Sequence, residues 1–200
     1  SSMNQYPPIF HLLKEVERMK ATISSPLNRF ATRTNTPQKV IAYAAKLGRS
    51  TINNYFHGTP IRANEATDIA NSMNDSELSY EMANLFLGIP KLFSGDGIYH
   101  DLRGLLVTDK REEDEEKASF IKHDIEGLAN DPNFTRDDAK NLKAYAFEKL
   151  DSTVADLTEL NAICEMLGIS IMDLFSERLP HYQKLHYMRK DEQAWNKDLH

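Results

Sequence analysis

Amide, hydroxyl and imidazole side chains recur on one side of a short segment that begins near residue 49. At ~100° per residue of an α-helix, the spacing places Ser50, Asn54 and His57 together, roughly opposite Ile52, with Asn53 at the flank. Short side chains that donate and accept hydrogen bonds suit the edges of base pairs, and an amide can pair with N6 and N7 of adenine. The chemistry that this segment predicts is therefore recognition of DNA bases.

Patterns of catalytic residues are weak along the rest of the chain. The seven histidines are scattered, and His181 and His186 lie five residues apart, which does not place them on one helical face. No His-Glu-x-x-His motif or cysteine pair indicates a metal site. The single cysteine, Cys164, lies in an apolar stripe and is typical of an inert core residue. We expect neither enzymatic activity, nor a cofactor, nor a bound metal.

Basic residues are concentrated in the first third of the chain. Residues 1–64 hold nine lysines and arginines and two acids, a net charge of +7, whereas the whole chain carries −6. The remaining residues therefore carry a net charge of −13. Such asymmetry indicates a polyanionic partner for the basic part. It also indicates that the acidic part does not contact that partner.

Apolar residues recur at helical spacing nearly everywhere, which predicts an all-α fold class. Proline and N-cap signals predict helices after Ser25-Pro26, after Thr36-Pro37 and after Ser76, and a further helix over about 63–73. Prolines and glycines over 88–108 indicate a domain junction, and the charge run Asp109–Lys117 is typical of a solvated helix surface or a linker. Beyond the junction, further helices are predicted by a capping box at Thr135–Asp138 and by two helical stripes, the second closed by Gly168. Pro180 is expected to precede a polar tail.

These signals divide the chain into four segments. We expect an N-terminal amphipathic helix over 3–24, a helix-turn-helix domain over 25–88, a linker or charged segment over 89–117 and a helical domain over 118–200. The last segment is predicted to serve oligomerisation or the binding of a protein partner.

The segment from Gln38 to Gly58 has the pattern of two helices that cross and pack on each other. Ala42 is the small residue at the crossing, Leu47 fills the turn, and Ile52 and Tyr55 face inward from the second helix. The second helix of such a pair enters the major groove of DNA.

The stretch from Thr36 to Gly58 resembles the XRE (lambda-repressor-like) helix-turn-helix family, with a looser likeness as far as Asn74. The resemblance is carried by a glutamine opening the first helix, an Ile-Ala pair, an Arg-Ser-Thr-Ile segment and a closing glycine: Gln38, Ile41-Ala42, Arg49–Ile52 and Gly58. It implies a five-helix lambda-repressor-like domain that binds double-stranded DNA, with Gln38 on a backbone phosphate.

Two residues depart from the family pattern. Lys46 stands where the family has its turn glycine, and Gly48 stands where a serine usually caps the recognition helix. A non-glycine residue in a left-handed turn costs about 1 kcal/mol. Sliding the register by two residues would bury the amide of Asn54, at about 1–3 kcal/mol. We therefore predict a left-handed backbone at Lys46.

The sequence thus predicts a sequence-specific, repressor-like transcriptional regulator, of the kind that phages and mobile elements encode. Phosphate contacts are expected from Gln38, Lys39, Lys46, Arg49 and Arg62, and the remaining contacts from Ser50, Thr51, Asn53, Asn54 and His57. One recognition helix covers few bases, so a homodimer is expected. No apolar run reaches the ~18 residues of a membrane span, and a cytoplasmic location is expected.

Two other functions stay open on the sequence alone. The first is a DNA-binding protein of replication initiation or partition. The second is an adaptor whose acidic helical part binds a protein while its N-terminal region only tethers it to DNA.

Overall fold

The structure is a computed structural model that describes residues 20–190. Its first part consists of short helices with one apolar face. Residues 20–89 and 90–190 form two compact units. The first unit contains α1 (Ser24–Thr34), α2 (Gln38–Ala44), α3 (Arg49–Phe56), α4 (Ala63–Met73) and α5 (Ser76–Leu87). Two strands of two residues, β1 (Lys20–Ala21) and β2 (Ile61–Arg62), pair antiparallel. The predicted number of helices in this domain is confirmed for the described residues.

One apolar cluster joins the five helices of the first unit. Ile23, Leu27, Ile41, Ile52 and Ile69 are fully buried in it. The predicted packing residues of the helix pair belong to the same cluster: Ala42, Ile52 and Tyr55 are buried, and Leu47 packs against them partly exposed. Burial of these side chains supplies the main stabilisation of such short helices, which are marginal on their own.

The predicted helix starts in this unit are displaced by one or two residues. The N-cap residues are Ile23, Pro37 and Asp75, where the sequence indicated Ser25, Thr36 and Ser76. At Asp75 the reason is a stronger cap, because its carboxylate accepts a hydrogen bond of 2.8 Å from the backbone N–H of Leu78. Most of the amphipathic helix predicted over 3–24 lies outside the described residues. For the last part of this segment the prediction of a helix is wrong, since Lys20–Ala21 is a strand.

The second unit is built on two long helices that pack along each other. It contains α6 (Leu102–Lys122), α7 (Ile125–Asn130), α8 (Arg136–Leu167) and α9 (Ile171–Lys184). The predicted capping box of Thr135 and Asp138 is confirmed at the start of α8. Gly168, with φ of 71°, ends the helix as predicted. With these helices and only two short strands among residues 20–190, the all-α class is confirmed.

Three expectations for the second unit are wrong. The irregular junction expected over 88–108 is too long, because α6 begins at Leu102 and its Leu105 and Thr108 are buried; for the run 109–117 the helix surface, and not the linker, is the alternative that agrees with the structure. The charges of the run 109–117 are compatible with a helix because several pair one turn apart, as Glu113 does with Lys117. The two predicted stripes of α8 form one helix, and Pro180 lies inside α9 rather than before a tail. None of the helices in residues 20–190 combines the length and the apolar composition of a membrane span.

Candidate nucleic-acid interface

A turn of four residues, 45–48, joins α2 to α3 and sets the angle between them. Lys46 adopts a left-handed backbone with φ of 54°. The next backbone N–H, of Leu47, donates a 2.9 Å hydrogen bond to the carbonyl of Ala42. Gly48 is the N-cap of α3 with an extended backbone, φ −66° and ψ 144°. The predicted register of the turn, with Lys46 and not Gly48 in the left-handed position, is confirmed.

The inner face of α3 is fixed by the core and by α4. Ile52, Tyr55 and Phe56 are buried. The hydroxyl of Tyr55 donates a 2.8 Å hydrogen bond to Oε2 of Glu65 in α4. Burial, together with the hydrogen bond to Glu65, raises the pKa of Tyr55 to about 12. The tyrosine is therefore a neutral hydrogen-bond donor at any physiological pH, and it links the buried face of α3 to α4.

The outer face of α3 carries the side chains that the sequence assigns to DNA. Arg49, Ser50, Asn53, Asn54 and His57 are exposed, and Thr51 is half-buried. Nδ1 of His57 lies 2.7 Å from the carbonyl oxygen of Asn53, which anchors the imidazole over the last turn of the helix. Within residues 20–190, no hydrogen bond occupies the side-chain amides of Asn53 and Asn54. These two amides are available to a ligand.

Ion pairs divide the basic residues of the first unit into two groups. Arg29 pairs with Glu81 at 2.6 Å, and Arg33 pairs with Asp75 at 2.7 Å. The cations assigned to phosphate are different: Lys39, Lys46, Arg49 and Arg62 are exposed, and none of them forms an ion pair with another described residue. Lys14 and Arg18 lie outside the described residues. The unneutralised charge is thus concentrated on α2, the turn, α3 and β2, while Gln38 is half-buried at the start of α2.

Two further residues of this region were not predicted. Lys20 lies directly opposite Arg62 in the two-stranded sheet, and like charges in that position repel each other. Tyr43 leaves 88% of its surface exposed on α2, one turn after Lys39. The strand pair could not be predicted from two residues, but Tyr43 had a signal, since it is an aromatic residue outside the apolar stripe of its helix.

The second unit contains a carboxylate cluster that the sequence did not predict. Asp109 and Glu113 of α6 and Asp156 of α8 bring carboxylate oxygens within 4.8 Å of one another. Oδ1 of Asp109 and Oε2 of Glu159 are buried without a hydrogen-bond partner. Burial, followed by the hydrogen bond to Asp156 and the charges of Asp156, Glu159 and Glu113, raises the pKa of Asp109 to about 6. Asp156 lies over forty residues from Asp109 and Glu113 in sequence, so only the packing of α6 on α8 brings it next to them.

The left-handed turn allows the charge and the backbone conformation of Lys46 to be tested separately. We expect Lys46→Ala and Lys46→Gly to weaken binding to all DNA sequences alike and to lower the slope of log affinity against log salt by about 1. Lys46→Gly should be more stable than Lys46→Ala by about 1 kcal/mol, because only glycine adopts φ of 54° without strain. Salt titrations and urea unfolding measure the two effects; an unchanged slope would show that Lys46 does not contact phosphate.

Comparisons of the chain with protein-family models, with curated proteins and with solved structures found no match. We therefore infer the function from the chain's own residues and their geometry.

Proposed function

We propose that this chain is a sequence-specific transcriptional regulator, repressor-like in action, that binds double-stranded DNA through α2 and α3. The single observation that carries the proposal is the outer face of α3. Its amide, hydroxyl and imidazole groups are exposed on a helix whose opposite face is locked in the core. A helix presented in this way can enter the major groove, where amides distinguish adenine from the other bases.

The cations around α3 support a polyanionic ligand. Lys46 lies in the turn before α3 and Arg49 in its first turn, next to backbone N–H groups that no side chain caps. Uncapped N–H groups at a helix start favour an anion such as a phosphate. The positive charge of Arg62 reaches α3, because it lowers the pKa of Tyr55 while burial and Glu65 raise it. Phosphate bound near Lys20 and Arg62 would relieve the repulsion between these opposed cations.

The five helices and the turn at Lys46 also support membership of the XRE family, which we retain as part of the proposal. In this family's geometry the second helix of the motif reads bases, and a two-fold dimer places two such helices about 34–36 Å apart on successive major grooves. We accordingly propose a homodimer that reads a two-fold operator in the cytoplasm, beside the DNA that it regulates.

Selection of bound sequences from genomic fragments, followed by footprinting, tests the function itself. A repressor is expected to protect a two-fold site that overlaps a promoter. Protection of an origin or of an array of repeats would assign the chain to replication or partition instead. Uniform weak binding without any preferred site would contradict sequence-specific recognition and favour the adaptor function.

The second test concerns the residues that read bases. We expect Asn54→Ala to cost about 1–3 kcal/mol of binding free energy on the selected site and little on random DNA. The reason is that the amide is exposed on α3 and its loss removes hydrogen bonds to a base without altering the fold. Asn53→Ala is expected to act in the same direction. Competition binding of both variants on the selected site and on random DNA measures the specificity ratio.

Asn130→Ala is the matched control, because it removes an exposed amide of the second unit and should leave both affinities unchanged. If Asn53→Ala and Asn54→Ala each leave the specificity ratio at the wild-type value, the outer face of α3 does not read DNA.

A further inference from the structure

One stripe of α8 is covered along the C-terminal half of the helix. Val154, Thr158 and Asn161 of this stripe are buried. The segment that precedes α6 lies on this part of the stripe, since the backbone N–H of Phe93 donates a 3.0 Å hydrogen bond to the hydroxyl of Thr158. The residues of the stripe follow each other at intervals of three and four, as expected for one face of a helix.

Towards the N-terminus of α8 the same stripe is open. Phe147 and Leu150 continue it at helical spacing, and they leave 56% and 44% of their surfaces exposed. The side of α8 that packs on α6 is different: there Tyr145 and Lys149 contact Glu116 at 3.2 and 3.0 Å. Apolar side chains as large as these gain about 1.5–3 kcal/mol each from full burial, so the open half of the stripe favours a partner.

The charges beside Phe147 indicate what the partner is. Lys143 precedes Phe147 by four residues and Asp151 follows it by four, so the three lie on one row along the helix. Nζ of Lys143 lies 5.7 Å from the centre of the Phe147 ring. Both charged residues are exposed, and neither forms an ion pair within residues 20–190. Along the row a positive charge is followed by an aromatic ring and then by a negative charge. Two copies of the row in antiparallel orientation therefore place opposite charges next to each other at both ends.

We propose that this surface, formed by Lys143, Phe147, Leu150 and Asp151 and here named the Phe147 face, binds the same face of a second copy of the chain in antiparallel orientation. In a two-fold interface each contact occurs twice. With the axis at Phe147, residues equally far before and after it lie opposite each other. Lys143 then meets the partner's Asp151 at both ends, and the two Phe147 rings meet at the axis. The proposal does not depend on DNA binding.

Charge reversal tests the pairing directly in the full-length chain without DNA. We expect the wild type to dimerise in sedimentation velocity experiments. Lys143→Glu and Asp151→Lys should each weaken the dimer by about tenfold or more, since each places like charges opposite each other twice. The double variant Lys143→Glu/Asp151→Lys restores opposite charges and should recover the wild-type dissociation constant to within about threefold.

Lys184→Glu is the matched control, because it makes the same change of charge at an exposed residue of α9 and should leave the dimer intact. Phe147→Ala removes the central contact and should also weaken dimerisation, while circular dichroism verifies that each variant keeps its helices. A monomeric wild type, a dimer that Lys143→Glu affects no more than Lys184→Glu does, or a double variant that fails to recover would each overturn the proposal.

Discussion

Replacing Ile52 by alanine is expected to destabilise the first unit by about 2–5 kcal/mol. The side chain is fully buried where α3 packs on the core, so its truncation loses transfer free energy and leaves a cavity. Affinity for DNA should fall for every sequence alike, because a loosened α3 presents neither its amides nor its cations in a fixed geometry. Urea unfolding followed by circular dichroism measures the stability, and competition binding measures the affinity.

Asn54→Ala is the control for the Ile52 experiment, since it lies two residues away on the exposed face of the same helix. It should change the stability by no more than about 0.5 kcal/mol. A variant at Ile52 that unfolds like the wild type would show that α3 is not anchored through this residue, and the orientation of its outer face would then be unsupported.

Asp109→Asn is expected to stabilise the second unit at pH 7.5 and above. The folded state raises the pKa of Asp109 from 3.8 to about 6, so the folded chain binds the proton more tightly than the unfolded chain does. Ionisation of Asp109 therefore lowers the free energy of unfolding of the wild type. This loss of stability is absent below pH ~4, grows as pH rises towards the raised pKa and is complete above it. Each pKa unit corresponds to ~1.4 kcal/mol, which sets an upper limit of about 3 kcal/mol.

The stabilisation by Asp109→Asn should be smaller than this upper limit, because Asp109 is partly exposed and solvent screens the carboxylates. We therefore expect a gain of about 1–2 kcal/mol at pH 7.5 and a gain close to zero at pH 4. The amide of an asparagine can still donate to Asp156 without adding a charge next to Glu113 and Glu159. Urea unfolding at a series of pH values measures the difference between variant and wild type.

Asp96→Asn is the control for this series, because Asp96 is exposed in the segment before α6 and its variant should follow the wild type at every pH. A gain from Asp109→Asn that is equal at pH 4 and pH 7.5 would exclude the titration of Asp109 as its cause. A loss at pH 7.5 would mean that the ionised carboxylate is stabilising, which contradicts the repulsion derived from the cluster.

Much of the candidate interface could be predicted from local signals. The register of the turn followed from comparing two local costs, a left-handed lysine against a buried amide, and Lys46 has the predicted positive φ. The division of α3 into a buried and an exposed face followed from its periodicity alone, and the burial of Ile52 and Tyr55 agrees with it. Whether the exposed face binds DNA stays a prediction for the experiments above.

Net charge was a poorer guide to the interface, since it counts every basic residue equally. Arg29 and Arg33 contributed to the excess of positive charge in the first third of the chain. In the structure their partners lie in α5 and at its N-cap, outside that third: Glu81 for Arg29, and Asp75 and Glu77 for Arg33. Neutralisation by residues distant in sequence is a property of the packing, and composition does not contain it.

The sequence by itself determined the all-α class, the turn at Lys46 and the outer face of α3, because caps, left-handed turns and amphipathic faces depend on residues within about one or two helical turns. Only the tertiary structure decided that the charged run 109–117 belongs to a packed helix and that Asp109 meets Asp156. It also left half of one α8 stripe open at Phe147. These features depend on which helices lie side by side, and helical periodicity is the same whether a face meets protein or water.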